Sequence, residues 1–339
     1  MFTPKERLYK VLKGEKVDRP PCICPGGMMN MIIEDVMDIV DVKWPDAHTN
    51  PLMMAKLTHG IYENGGFENF GVPFCMTVEA EAMGAGVNMG TKTTEPRVTE
   101  YPIETVEDWN KLKYIDTTEG RVKVVLDSIK ILKENNNDVP IIANLTGPIS
   151  LASSLMEPMI FYKQLRKKNE ESHEFMKFVT ENLISFGKAQ LDAGADVLTI
   201  SDPSGTGEIL GSKSFREFAT PYLNMIIDSL KDHAPGGTII HICGKLKTIY
   251  DDLNALNSDA ISFDSITSAR HVVENVHNKV IMGNVSTFAL ENNKDNIKSI
   301  SNSCLDSGVH ILSPACGIGP KTKLENIQIL VDCAKNYKK

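Results

Sequence analysis

The sequence predicts an α/β chain folded as a (β/α)8 barrel with additional N-terminal helices, on three observations. Eight short apolar runs recur along it, each ending in polar or glycine-containing residues. Stretches of helical period separate most of them, which is the alternation of a parallel sheet whose crossovers are helices. The polar residues best suited to chemistry stand at the ends of the runs, where the loops of such a barrel form its mouth. A doubly wound open sheet shares the alternation, but no G-x-G-x-x-G follows the first run to mark it.

The chain opens with Thr3-Pro4-Lys5-Glu6, a capping box with proline at the first helical position. Leu8, Val11 and Leu12 at helical spacing, with Gly14 as a stop, extend it to a short amphipathic helix. The first run is Cys22-Ile23-Cys24, closed by Pro25-Gly26-Gly27. Cys22 and Cys24 have the spacing of a ligand pair, but no neighbouring histidine or further cysteine completes a set, and core packing is the reading. Met28, Met29 and Met31 follow, suited to filling gaps or lining a pocket. About 1–20 and 28–72 are expected to form a helical extension, broken at Gly65-Gly66. The other runs are 74–78, 141–145, 195–201, 238–243, 260–263, 280–282 and 309–312. Helices are expected over 121–133, over 170–193 with Gly194 as its stop, over 214–232, and over 322–335, where Thr322-x-x-Glu325 reads as a second capping box.

A chain of 339 residues, 42% hydrophobic and 24% charged, is long enough for one large core, and one domain over 1–339 is expected. Its net charge of -8 argues against nonspecific binding to nucleic acid or an anionic membrane. Seven cysteines, no signal-like N-terminus and no apolar run of membrane-spanning length lead us to expect a cytoplasmic protein with reduced thiols.

The most informative stretch is His241-Ile242-Cys243-Gly244. On a strand, positions 241 and 243 share a face, so an imidazole and a thiol stand side by side. Cys316, in Ser313-Pro314-Ala315-Cys316-Gly317, comes from the last strand end, which a closed ring brings back toward the first two. Two thiolates and an imidazole are three of the four ligands of a tetrahedral zinc, leaving a position for water or substrate, as in catalytic sites. The competing reading is a buried cysteine packed as a small hydrophobe beside a hydrogen-bonded histidine.

This His-x-Cys and distant Cys, with the segments 21–31, 72–81 and 310–319, resembles the uroporphyrinogen decarboxylase superfamily, and within it most closely the methylcobalamin:coenzyme M methyltransferases of methanogenic C1 metabolism. The resemblance covers nearly the whole chain. It implies a barrel, a zinc ion on His241, Cys243 and Cys316, coenzyme M as the thiol acceptor, and methylcobalamin carried by a corrinoid protein as the donor. The decarboxylases of the superfamily carry an arginine-bearing motif after the first strand; Cys24 to Asn30 here contains no arginine, which speaks against decarboxylation. Methyl transfer to a different thiol, such as homocysteine, would use the same zinc chemistry. A non-catalytic module that binds a corrinoid protein would instead want a closed four-ligand site.

Asp264 is a candidate fourth zinc ligand or a residue that orients His241. Glu79, Asn144, Asp202 and Asn284 stand at strand ends as candidates for shaping the substrate pocket. The sulfonate of coenzyme M needs N–H donors or a cation, and the turn Gly317-Ile318-Gly319 and Lys321 are close in sequence to Cys316.

Overall fold

A computed structural model describes residues 2–134 and 136–338. Its main sheet has seven parallel strands in sequence order: β1 Phe70–Val72, β2 Ile141–Thr146, β3 Val197–Ser201, β4 Thr238–Ile242, β5 Ala260–Phe263, β6 Val280–Val285 and β7 Ile311–Pro314. Every residue of these strands is buried, as parallel strands covered by helices on the outside and packed on the inside must be.

The eighth position is filled by the Cys22 segment, which pairs through an isolated bridge rather than a ladder. On one side Cys22 bridges Leu312 in parallel, with Ile23 N–H donating to the Leu312 carbonyl at 3.1 Å. On the other side Glu68 N–H donates to the Cys22 carbonyl at 2.9 Å. The Asn69 side chain then exchanges two bonds of 2.9 Å with the backbone of Cys24 and so substitutes for a ladder rung. The ring closes through a side-chain amide, which explains why this piece is short.

Two expectations are corrected at this edge. The second strand is Phe70–Val72, inside the stretch assigned to the helical extension. The run 74–78 is instead bend and turn leading into a short helix, Val78–Ala82. Pro73 follows directly after the strand and has no N–H with which to extend the ladder. Glu79 and Glu81 therefore lie on a helix rather than at a strand end.

The first capping box is present, with Glu6 N–H donating to Thr3 Oγ1 at 3.1 Å and Thr3 N–H to the Glu6 carboxylate at 2.8 Å. The second is absent. The last helix runs Leu324–Asn336, Thr322 Oγ1 has no partner among the described residues, and Leu324 N–H is capped from a distance by Asp35 at 3.0 Å. The expected helix over 214–232 is divided. Gly211–Ser214 passes through a π turn, Phe215–Ala219, into Thr220–Leu230, where Pro221 lacks the N–H that a regular ladder needs. An antiparallel hairpin, Gly86–Asn88 with Arg97–Glu100, stands apart from the main sheet.

Candidate metal centre

His241 is the fourth residue of β4 and fully buried. Its register partner on β5 is Ser262, and parallel neighbours at one level point the same way. Nδ1 of His241 accordingly meets Ser262 Oγ at 3.0 Å, while Nε2 faces Cys243 Sγ at 3.1 Å. The serine fixes the ring orientation and leaves Nε2 for a ligand. Cys243 follows the strand, and Gly244, at φ +78°, turns the chain away in a conformation that side chains disfavour.

Cys316 arrives from β7 with its sulfur 3.9 Å from that of Cys243. Gly317 is required there, since a Cβ would lie 2.5 Å from the Met28 carbonyl oxygen. The methionine segment thus seats the Cys316 loop, and Ile318 N–H continues the contact to the Asn30 carbonyl at 2.9 Å. Met29 and Met31 are buried, and Met29 Sδ lies 3.6 Å from Ser262 Oγ. Their role is packing behind the centre.

The ligand atoms of His241, Cys243 and Cys316 all lie within 4.8 Å of one another. Thiolates bound at about 2.3 Å in a tetrahedron stand about 3.8 Å apart, close to the spacing here. Ring and thiol would need to part only to about 3.5 Å, so the set fits a zinc-sized ion. The contact between the two sulfurs holds Cys316 well below the ordinary thiol range and, with burial, drives Cys243 far above it. A divalent cation on both sulfurs would favour both as thiolates.

Most of the remaining residues expected at the site make hydrogen bonds within the scaffold. Asp264 is outside the ligand cluster: one carboxylate oxygen accepts from Ile266 N–H at 3.1 Å and the other from Gly244 N–H at 3.4 Å. Glu79, fully buried, accepts from Thr146 N–H at 2.8 Å and Oγ1 at 3.1 Å. Asp202 caps a helix, Pro148–Leu155, through Ser150 N–H at 2.8 Å, Ser150 Oγ at 2.6 Å and Ile149 N–H at 3.2 Å. Burial raises both carboxyls from their ordinary values, and these bonds oppose the shift. Asn284 donates to the Asp264 and Thr267 carbonyls at 3.0 and 2.8 Å. Asn144 donates to the Pro25 and Val72 carbonyls, but its buried Oδ1 has no partner among the described residues. Gly317 N–H bonds to Cys316 and Ile318 N–H is taken by Asn30, and exposed Lys321 in that turn has no ion pair among the described residues.

Two further residues near the centre carry little signal in the sequence. Ser262 has a faint one, as a lone polar residue in the run Ala-Ile-Ser-Phe. Glu95 has none, because the hairpin carries it in from outside the sheet. It is partly buried, has no hydrogen bond or ion pair among the described residues, and is pushed up to about 7, by burial first and by the charge of Cys316 second.

This gives a pH-dependent expectation for the metal-free protein. An acid whose folded value is raised contributes stability below its unfolded value, near 4.5 here, and loses it as pH rises to about 7. Metal-free Glu95→Gln should therefore melt above the parent at about pH 8 and match it at about pH 4.5. A calorimetric scan at the two pH values checks this.

A cavity of about 970 Å3 lies at the opposite end of the barrel, beside Lys13, Asp259 and His310 where strands begin. None of the three ligands lines it.

Comparison with known proteins identifies the family. Residues 3–337 match the family model for uroporphyrinogen decarboxylase (URO-D). The chain is 34% identical to the methylcobamide:CoM methyltransferase MtbA of Methanosarcina acetivorans over 99% of both chains. It is 35% identical to the methylcobamide:CoM methyltransferase MtaA of Methanosarcina barkeri, over 99% of this chain and 98% of that one. A solved methyltransferase structure from Methanosarcina mazei superposes with a TM-score of 0.91 at 36% identity, covering 99% of each chain. The chain therefore belongs to the uroporphyrinogen decarboxylase family, in the branch of the methylcobamide:CoM methyltransferases.

Proposed function

We propose that this chain is a cytoplasmic, zinc-dependent enzyme that transfers a methyl group from a methylated corrinoid, carried by a partner protein, to the thiol of coenzyme M. The observation that carries the reading is the convergence of His241, Cys243 and Cys316, with the imidazole held by Ser262 and no carboxylate among the described residues completing the set. That leaves the fourth position to substrate sulfur. The names of the relatives, methylcobamide:CoM methyltransferases, support the donor and the acceptor.

Zinc on these ligands would keep the bound thiol deprotonated near neutral pH, where a free thiol with a pKa of about 8.5 is only a few per cent thiolate. Two thiolates and a neutral imidazole balance a divalent cation, so the incoming sulfur keeps electron density for attack. Held on zinc by His241, Cys243 and Cys316, the thiolate would be placed to attack the methyl carbon, the carbon–sulfur bond forming as the cobalt–carbon pair is left on the corrinoid. The chain's own work is positioning. Ser262 orients the ring, and Gly317 lets Cys316 approach. Asn144 Oδ1 and Lys321 are proposed to meet polar parts of the substrate.

The test is methyl transfer from free methylcobalamin. Zinc-loaded protein should methylate coenzyme M at least about 100-fold faster than homocysteine, whose carboxylate and ammonium call for a clamp of paired charges that coenzyme M does not need. Metal removal should abolish the reaction and added zinc restore it. Equal rates with homocysteine, or full activity after metal stripping, would sink the assignment.

A further inference from the structure

Three large apolar side chains on loops at the mouth end of the barrel remain in solvent. Ile209, Ile266 and Phe288 are 45%, 59% and 76% exposed. Each lies in the segment that follows a barrel strand on the mouth side: Ile209 after β3, Ile266 after β5 and Phe288 after β6. These strands lie around β4, which supplies His241 and Cys243. Scattered apolar residues on a surface are ordinary, but three from neighbouring loops of one mouth form an arc beside the chemistry.

The same rim carries positive charge. Lys247 follows β4 and Arg270 follows β5, both exposed and both without an ion pair among the described residues, on a chain whose net charge is -8. Lys245, also after β4, is answered by Glu208 at 3.3 Å. The other side of the mouth is occupied. The tip of the hairpin that carries Glu95 is held by Lys92 on Asp38 at 3.0 Å. The free approach to the metal ligands is therefore over the loops of β3 to β6.

We propose that Ile209, Ile266 and Phe288, flanked by Lys247 and Arg270, form the docking surface for the protein that delivers the methylated corrinoid. This rests on the function proposed above. A corrin ring is too large for the packed interior of an eight-stranded barrel, so its methyl group must be presented from outside with the carrier covering the mouth. The unpaired cations select an acidic carrier surface, and the apolar arc supplies the desolvated centre of a transient contact.

The experiment compares two donors, free methylcobalamin and the methylated corrinoid protein purified from the cells that make this chain. The variants are Phe288→Asp with Ile266→Asp, and Lys247→Glu with Arg270→Glu. With the protein donor, KM should rise at least about tenfold in the apolar pair. The parent's KM should rise between about 50 and 300 mM salt, and this dependence should flatten in the charge pair. With free methylcobalamin, kcat/KM should stay within about twofold in both. Unchanged KM for the protein donor, or equal losses with both donors, would overturn the docking assignment. If sedimentation shows a parent dimer that Phe288→Asp dissociates, the arc is a self-association face and the proposal fails. Inactivity of the parent with both donors would instead remove the functional reading.

Discussion

Cys316→Ala is expected to lose the metal and to slow methyl transfer by at least about 10³-fold. The sulfur of Cys316 comes from the far end of the chain and is one of three ligand atoms that the described residues gather within 4.8 Å. Its removal leaves a two-ligand fragment, His241 and Cys243, whose contact of 3.1 Å then becomes an ordinary hydrogen bond. A two-ligand site does not hold zinc against water, so both the activation of the thiol and its placement are lost together. The fold should survive, because Cys316 is only partly buried and lies beyond the end of β7. Metal analysis should find zinc in the parent and not in the variant, with matching circular dichroism. A variant that keeps stoichiometric zinc and full activity would show that another residue completes the site.

Asp202→Ala is expected to cost about 3 kcal/mol of stability, lowering the thermal midpoint by about 5 °C or more, while leaving the KM for coenzyme M unchanged. The carboxylate is wholly buried and accepts two backbone N–H groups and a hydroxyl at the start of Pro148–Leu155. Gly147 and Gly205 close around it, with no room for a Cβ at either: one would lie 2.3 Å from Asp202 Cβ and the other 2.8 Å from its Cγ. Truncation strands buried donors where water has poor access, which is the costly way to lose a hydrogen bond. Thermal unfolding and steady-state kinetics on the same preparation separate this from a substrate-binding role, which would raise KM with little effect on melting.

The sequence makes the barrel legible where strands are long and buried on both faces. The runs at 141–145, 238–243 and 260–263 land within a residue or so of β2, β4 and β5. It fails where the ring is closed by side chains. Neither the strand Phe70–Val72 nor the Asn69 bonds that stand in for a ladder beside Cys24 have a periodic signature. The cluster of His241, Cys243 and Cys316 is legible because an imidazole and a thiol two apart on a strand are costly in a core and useful on an ion. Asp202, Glu79 and Asn284 also stand near the mouth, and residue type alone does not separate a helix cap from a substrate contact. Only the partners do so: Ser150 for Asp202, Thr146 for Glu79, the Asp264 carbonyl for Asn284. Glu95 is invisible because its neighbourhood is created by an inserted hairpin rather than by the barrel period.

The most direct measurement is X-ray absorption at the zinc edge of the purified protein, before and after addition of coenzyme M. Direct binding of the substrate thiolate at the fourth position predicts two sulfur neighbours rising to three, at about 2.3 Å. A sulfur count that does not change when the thiol is added would contradict activation by the metal, and with it the mechanism built on His241, Cys243 and Cys316.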